Sequence, residues 1–272
     1  MDAFSRIGHP MSRTSEARPS MPNKAGEIVR NATVFFDLDG TIVDQRHMRS
    51  CALRKVVDEY LPGFDDRQVT DLHDQILENI VSLQSSGSLN IHDAGILRFE
   101  RLCAALGRPA SRALVSQLYR EYRIEHQHAM REVAGASEVL MGLRRSGVRL
   151  GIISNGYTEE QLGKLKALRL LDMFDVIVIS EAIGAWKPQP AIFMAAAHLA
   201  GAEPAQCVMV GDSVANDING GLAAGFRCIF VAPCSEARVP SGVLHLNGFV
   251  PASKAIDQLL RPCTLDGQML QK

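Results

Sequence analysis

Apolar residues along this chain follow two different patterns, and the change between them marks its organisation. Ala32-Thr33-Val34-Phe35-Phe36 is a short, unbroken, β-prone run. It predicts a strand buried on both faces. The run ends in Asp37-Leu38-Asp39-Gly40-Thr41. From about 45 to 130 the spacing turns helical and strand signals vanish. The pattern predicts helices over 51–61, 66–84, 93–106 and 111–128, with Pro62-Gly63, Ser85-Ser86-Gly87-Ser88 and Gly107-Arg108-Pro109 between them. Proline and glycine at such ends are helix punctuation, so this block reads as a helical bundle.

Beyond it the chain alternates. Helices are predicted over 136–146, 158–168, 190–200 and 218–224, and strands over 148–153, 176–179, 207–210 and 228–231. Proline opens the third of these helices and glycine closes it, the usual asymmetry. Alternation of this kind predicts right-handed βαβ units and a parallel sheet. The first strand is separated from the series by the helical block. The fold class is therefore α/β: a Rossmann-like parallel-sheet core (31–45 and 131–250) interrupted by an inserted helical domain (46–130). A disordered tail, or an early start codon, accounts for 1–30, and a short helix and tail for 251–272.

Ligands of open parallel sheets bind beyond the carboxyl ends of the strands. Here those ends repeatedly carry reactive residues. The first strand ends in Asp37 and Asp39, and the second in Ser154 and Asn155. Strand 176–179 is followed, past a short turn, by Lys187. The fourth ends in Asp212, with Asp217 close behind. Converging carboxylates repel one another unless a cation neutralises them, and hard oxygen ligands favour Mg²⁺. A lysine and a hydroxyl suit a phosphate dianion.

Composition narrows the field. The 272 residues carry a formal net charge of −1, so neither nucleic acid nor a solvating tail is indicated. No apolar run approaches the roughly 18 residues of a membrane span. The six cysteines form no CxxC pair and read as reduced thiols, mostly core, in a cytoplasmic protein. Asp2, Glu16 and Glu27 count against a transit peptide. Oligomeric state is not encoded in any readable feature.

Asp37-Leu38-Asp39-Gly40-Thr41, Ser154-Asn155, Lys187-Pro188 and Gly211-Asp212-Ser213 with Asn216-Asp217 resemble, in order, the four motifs of the haloacid dehalogenase superfamily. The helical insertion is similar to the α-helical cap of its haloacid dehalogenase-like subfamily. The resemblance implies a Mg²⁺-dependent phosphatase that acts on a small phosphorylated metabolite through an aspartyl-phosphate. By it, Asp37 is the nucleophile and a metal ligand. Asp39 is the acid and base, and its carbonyl binds the metal. Gly40 and Thr41 support the phosphate end. Ser154 and the backbone of Asn155 hold phosphoryl oxygens. Lys187 stabilises transferring charge, Asp212 binds metal, and Asp217 acts behind it. Dehalogenases of the superfamily lack the second aspartate, so Asp39 favours phosphoryl transfer. Phosphonatases use a cap lysine, and Lys55 has no supporting context. A phosphomutase, or a non-catalytic binding protein on the same fold, is the alternative. The cap is expected to close over the site, with hinges near 43–47 and 131–135 and specificity from loop 84–93.

Other features have plainer readings. Gly220-Gly221-Leu222-Ala223-Ala224-Gly225 does not follow a strand and open a helix, so it is close helix packing rather than a dinucleotide loop. His126 and His128 lie on different helix faces and read as surface. Trp186 covers either the site or the core.

Overall fold

A computed structural model describes residues 32–85, 91–233 and 238–260. The chain separates into two compact units, Met1–Asp44 with Glu132–Lys272, and Gln45–Arg131. The tail expected over 1–30, the end of the C-terminal tail and positions 86–90 of loop 84–93 lie outside the described residues.

The first unit is built on a six-stranded sheet in which every neighbouring pair is parallel. Its strands are β1 (Thr33–Phe36), β2 (Arg149–Ser154), β3 (Val176–Ile179), β4 (Cys207–Gly211), β5 (Arg227–Val231) and β6 (Leu244–Leu246), in the order β3-β2-β1-β4-β5-β6. Every residue of β1 and β3 is buried, which is why these strands read as continuous apolar runs instead of alternating. Phe36 pairs with Ile152 on one side and Val210 on the other. The order reverses between β1 and β4, and that switch point is where such sheets open a crevice.

Helices α5 (Ala136–Arg145), α6 (Thr158–Ala167), α7 (Ser180–Ile183), α8 (Pro190–Ala200), α9 (Asn219–Ala223) and α10 (Ala252–Leu259) complete this unit; α1–α4 belong to the other. Phe226 joins two rings in one core layer, meeting Phe35 tilted at a centroid distance of 5.9 Å and Phe193 edge-on at 5.7 Å. The glycines of α9 serve close packing. A Cβ on Gly220 would come within 2.6 Å of the Phe193 ring, and one on Gly221 within 2.6 Å of Cys228 Sγ.

Three local expectations are corrected. The segment after β3 is not a turn but α7, closed by Gly184 at φ 74°. The helix expected over 218–224 begins earlier, as a wide π-type turn at Val214–Ile218 that runs on into α9. β6 was not foreseen, because three residues at a sheet edge carry too little periodicity to register.

The second unit holds α1 (Gln45–Tyr60), α2 (Asp66–Ser85), α3 (Ile91–Ala105) and α4 (Arg112–His128). Side chains cap two of them. Asp65 Oδ1 accepts from the N–H groups of Arg67 and Gln68, and Ser111 Oγ from that of Leu114. Its core gathers Val56, Val69, Phe99, Leu102, Leu118 and Tyr122. His126 is not a surface residue as expected: it is half-buried, stacked on Tyr122 and hydrogen-bonded to Gln45. Among the described residues no helix is long and apolar enough to cross a membrane. Cys51, Cys103, Cys207 and Cys228 are free thiols, the last three buried.

Candidate active site

The site is assembled at the carboxyl ends of β1, β2 and β4. Asp37 is the first residue past β1, and its N–H donates to Val210 O at 2.9 Å, extending the ladder with β4. The chain then folds into a tight turn. The N–H groups of Ile42 and Val43 both reach Leu38 O, and that of Gly40 reaches Val43 O. Gly40 sits at φ 95°, and a Cβ there would lie 2.1 Å from Asp212 Oδ2. Glycine is therefore required twice, for the backbone conformation and for the approach of the Asp212 carboxylate.

Lys187 is the hub. Its Nζ donates to Asp37 Oδ1 at 2.5 Å, Asp217 Oδ1 at 2.7 Å and Ile153 O at 2.9 Å. An ammonium has three donors, and all three are used. The Asn155 side chain fixes the main chain of this lysine from both sides: Oδ1 accepts from Lys187 N at 2.8 Å and Nδ2 donates to Lys187 O at 3.0 Å. Asp217, carried by the π-type turn, also accepts Ser213 N–H on Oδ2. A Cβ on Gly211 would fall 2.3 Å from that oxygen.

Carboxylate oxygens of Asp37, Asp212 and Asp217 all lie within 4.8 Å of one another. Burial lifts the Asp37 carboxyl well above its ordinary range; Lys187 opposes this, while Asp217 and Asp212 add to it. Asp212 is pushed up to about 6, first by burial and then by the Asp217 charge. Burial pulls Lys187 down, but Asp217 and Asp37 outweigh it and the ammonium is held charged. One ammonium therefore faces three crowded acids. Hard oxygen donors with negative charge left over, and an Asp212 carboxylate seated where only glycine leaves room, fit a divalent metal.

Thr41 is buried, and its Oγ1 has no hydrogen-bond partner among the described residues. Ser154, also buried, ends β2. Two residues of this neighbourhood escaped sequence reasoning. Lys164 Nζ lies 2.9 Å from both Asp39 oxygens, and Gln161 Nε2 lies within 2.8–2.9 Å of three acceptors, Asp39 Oδ2, Ser154 Oγ and Asn155 O. Burial lowers the Lys164 pKa, but the Asp39 and Glu160 charges more than offset it. Both residues are buried on α6 beside Leu162 and Leu165. The available signal was a polar pair lying in the apolar stripe of a helix, where a lysine is rare unless paired. The contacts thus join Asp37, Asp39, Ser154, Asn155, Lys187 and Asp217 into one network, with Asp212 against Gly40 beside it.

A family model for haloacid dehalogenase-like hydrolases matches residues 34–231. The chain belongs to this family. It is 30% identical over 197 residues to a glyceraldehyde 3-phosphate phosphatase from Pyrococcus abyssi, covering 72% of this chain and 79% of that one. It is 28% identical over 233 residues to the human N-acylneuraminate-9-phosphatase, covering 80% and 92%. Among solved structures, YfnB from Bacillus subtilis, crystallised with magnesium, aligns at a TM-score of 0.69 with 23% identity, over 83% of this chain and 98% of that one. An L-2-haloacid dehalogenase from Xanthobacter autotrophicus aligns at 0.63 with 18% identity, over 83% and 98%. At these identities the two structures speak for the shared fold alone.

Proposed function

We propose that this chain hydrolyses a small phosphate monoester, using Mg²⁺, through a phosphorylated Asp37. The observation that carries the reading is the buried Asp37–Lys187–Asp217 chain with a second aspartate, Asp39, two residues past the nucleophile. A dehalogenase has no use for that second carboxyl; phosphoryl transfer needs it to move a proton.

The Asp37 and Asp212 carboxylates and the Asp39 carbonyl would hold the metal. Asp217 acts behind them, because both its oxygens already accept from Lys187 and Ser213. Bound there, Mg²⁺ supplies the positive charge that lets an anionic nucleophile approach an anionic ester. Lys187 keeps Asp37 ionised and aimed. Ser154, Thr41 and the Asn155 backbone bind phosphoryl oxygens. Asp37 attacks phosphorus, the bond to the ester oxygen breaks, and Asp39, which takes up a proton before this step, gives it to the departing alkoxide. Asp39 then takes a proton from water, which attacks the aspartyl-phosphate and releases inorganic phosphate. Covalent catalysis divides one slow displacement into two easier ones.

The substrate reading follows the relatives: a small sugar or sugar-acid phosphate, with nucleoside monophosphates and other phosphometabolites behind it. The test is a panel containing glyceraldehyde 3-phosphate, N-acylneuraminate 9-phosphate, hexose phosphates and nucleoside monophosphates, assayed with Mg²⁺ for free phosphate and for isomerised phosphosugar. Release of phosphate is expected. Isomerisation without release would establish a phosphomutase, and no turnover of any ester would leave a binding protein.

A further inference from the structure

Lys164 and Gln161 have no place in the mechanism above, yet their burial needs a reason. Lys164 is 5% exposed and Gln161 2%. Taking an ammonium out of water costs several kcal/mol unless close partners compensate it. The compensation here comes from two carboxylates: Asp39, with both oxygens at 2.9 Å, and the outer Glu160, at 3.2 Å. Gln161 lies three residues earlier, so its side chain emerges on the same helix face. Its amide nitrogen, with two N–H donors, lies within 2.8–2.9 Å of Asp39 Oδ2, Ser154 Oγ and Asn155 O. The amide cannot be turned over, because its oxygen would then face the carboxylate. A carboxylate held at both oxygens has little rotamer freedom left.

We propose that Lys164 and Gln161 are positioning residues for Asp39, and that α6 sets the angle at which this carboxyl meets the leaving oxygen and registers it against the phosphate-binding end of β2. The proposal rests on the phosphatase reading and adds to it two residues that touch neither nucleophile nor metal ligand side chain. Its consequence is selective. Proton delivery matters for an alkyl ester, whose departing alkoxide is a strong base, and hardly at all for an aryl ester whose phenolate leaves unaided. In the first step, the one kcat/KM reads, misplacing Asp39 therefore harms one substrate and spares the other, whereas the later hydrolysis of the aspartyl-phosphate is slowed for both. A residue that only supports the fold, or that binds phosphate directly, harms both alike.

The experiment measures kcat/KM for Lys164→Met and Gln161→Met, each in the wild-type and the Asp39→Asn background. One substrate is p-nitrophenyl phosphate; the other is whichever of glyceraldehyde 3-phosphate and N-acylneuraminate 9-phosphate is turned over faster. Lys164→Met is expected to lower kcat/KM on the alkyl ester on the order of 10–100-fold, a large part of what acid catalysis typically supplies. On the aryl ester the loss is expected to stay under about threefold. In the Asp39→Asn background neither substitution should add a further loss, since both act through Asp39. Lys164→Arg, which keeps charge and two donors, should recover part of the alkyl-ester activity. Gln161→Met keeps the length of its side chain and carries the test by itself where Lys164→Met folds poorly. Equal losses on the two esters, or full additivity with Asp39→Asn, overturn the proposal while leaving the phosphatase reading intact. A wild type inactive on every ester refutes both.

Discussion

In the α/β unit, Asp37, Asp217, Lys164 and Lys187 are all buried, and each is tied to a partner of opposite charge. In the helical unit the one buried polar side chain among the described residues is His73. It packs against Phe99 and Tyr122 at centroid distances of 6.2 and 5.8 Å, and burial drives its pKa down to about 4. The two units solve the same problem differently. Where a buried group can give up its charge it does so, and the helical core stays apolar. In the α/β unit the buried groups are instead paired, Lys187 with Asp37 and Asp217, and Lys164 with Asp39. Desolvating charge is unfavourable, so its concentration in one place marks where the fold has been shaped by chemistry rather than by stability alone.

The sharpest way to break this contrast is to remove the nucleophile. Asp37→Asn keeps the shape but not the reactive charge, and turnover should fall by at least ~10⁴-fold, about 5 kcal/mol of activation free energy; full residual activity would falsify the covalent route. Next is Lys187→Met, which leaves Asp37 and Asp217 buried with no counter-charge. Denaturant unfolding of the metal-free protein should show a loss of about 3–5 kcal/mol, whereas an unchanged midpoint would mean the lysine does not hold the acids together.

The helical unit answers to pH instead. His73 is neutral when folded, so its contribution is complete above about 6.5 and is lost as the pH falls toward 4. The span corresponds to about 3 kcal/mol. A His73→Phe variant should lack that part of the acid sensitivity. Parallel stability curves for the two proteins between pH 7 and 4 would refute the buried neutral imidazole.

Asp212 moves in the opposite sense. Its carboxyl, raised to about 6, favours the metal-free fold at low pH, and that benefit disappears as the pH climbs from about 4 through 6. Protons should therefore compete with Mg²⁺, weakening its binding by up to ~10-fold per pH unit below about 6. Calorimetric titration at pH 5, 6 and 7 reads this directly, and an affinity flat across that range would exclude Asp212 as a ligand. The smallest effect is expected at the exposed pair Arg54–Asp66, whose side chains are 68% and 51% accessible. Arg54→Ala should change stability by less than about 1 kcal/mol, and a larger loss would mean that surface charge matters to this unit after all.

Much of this architecture was visible before any coordinates. Thr33–Phe36 and Val176–Ile179 announced themselves as strands because burial on both faces leaves a short β-prone run that is apolar but for Thr33. Pro190 and Gly201 bracket α8 as expected from their backbone preferences. Asp37, Asp39 and Asp212 stood out because each comes at or just past a strand end, where a charged group in such a sheet reaches a crevice, and Lys187 because it comes next in the series, beyond the short helix after β3. Gln161 and Lys164 did not, because they lie in mid-helix, where their spacing is that of ordinary core positions. The part played by the Asn155 side chain was hidden for a related reason: it grips the backbone of Lys187, 32 residues away in the chain.

What the linear order of residues determined by itself was the set of elements and the strand end at which each reactive group is displayed, because periodicity and turn chemistry act over a few neighbouring positions. Which of those groups meet was decided by the sheet. The order β3-β2-β1-β4 sets β2 and β4 on either side of β1, and so draws Asp37, Lys187 and Asp217 to within hydrogen-bonding distance. The same folding presses α6 over the turn after β1 and delivers Lys164 to a carboxylate 125 residues distant. Contacts at that separation depend on how layers pack, and no local pattern records them.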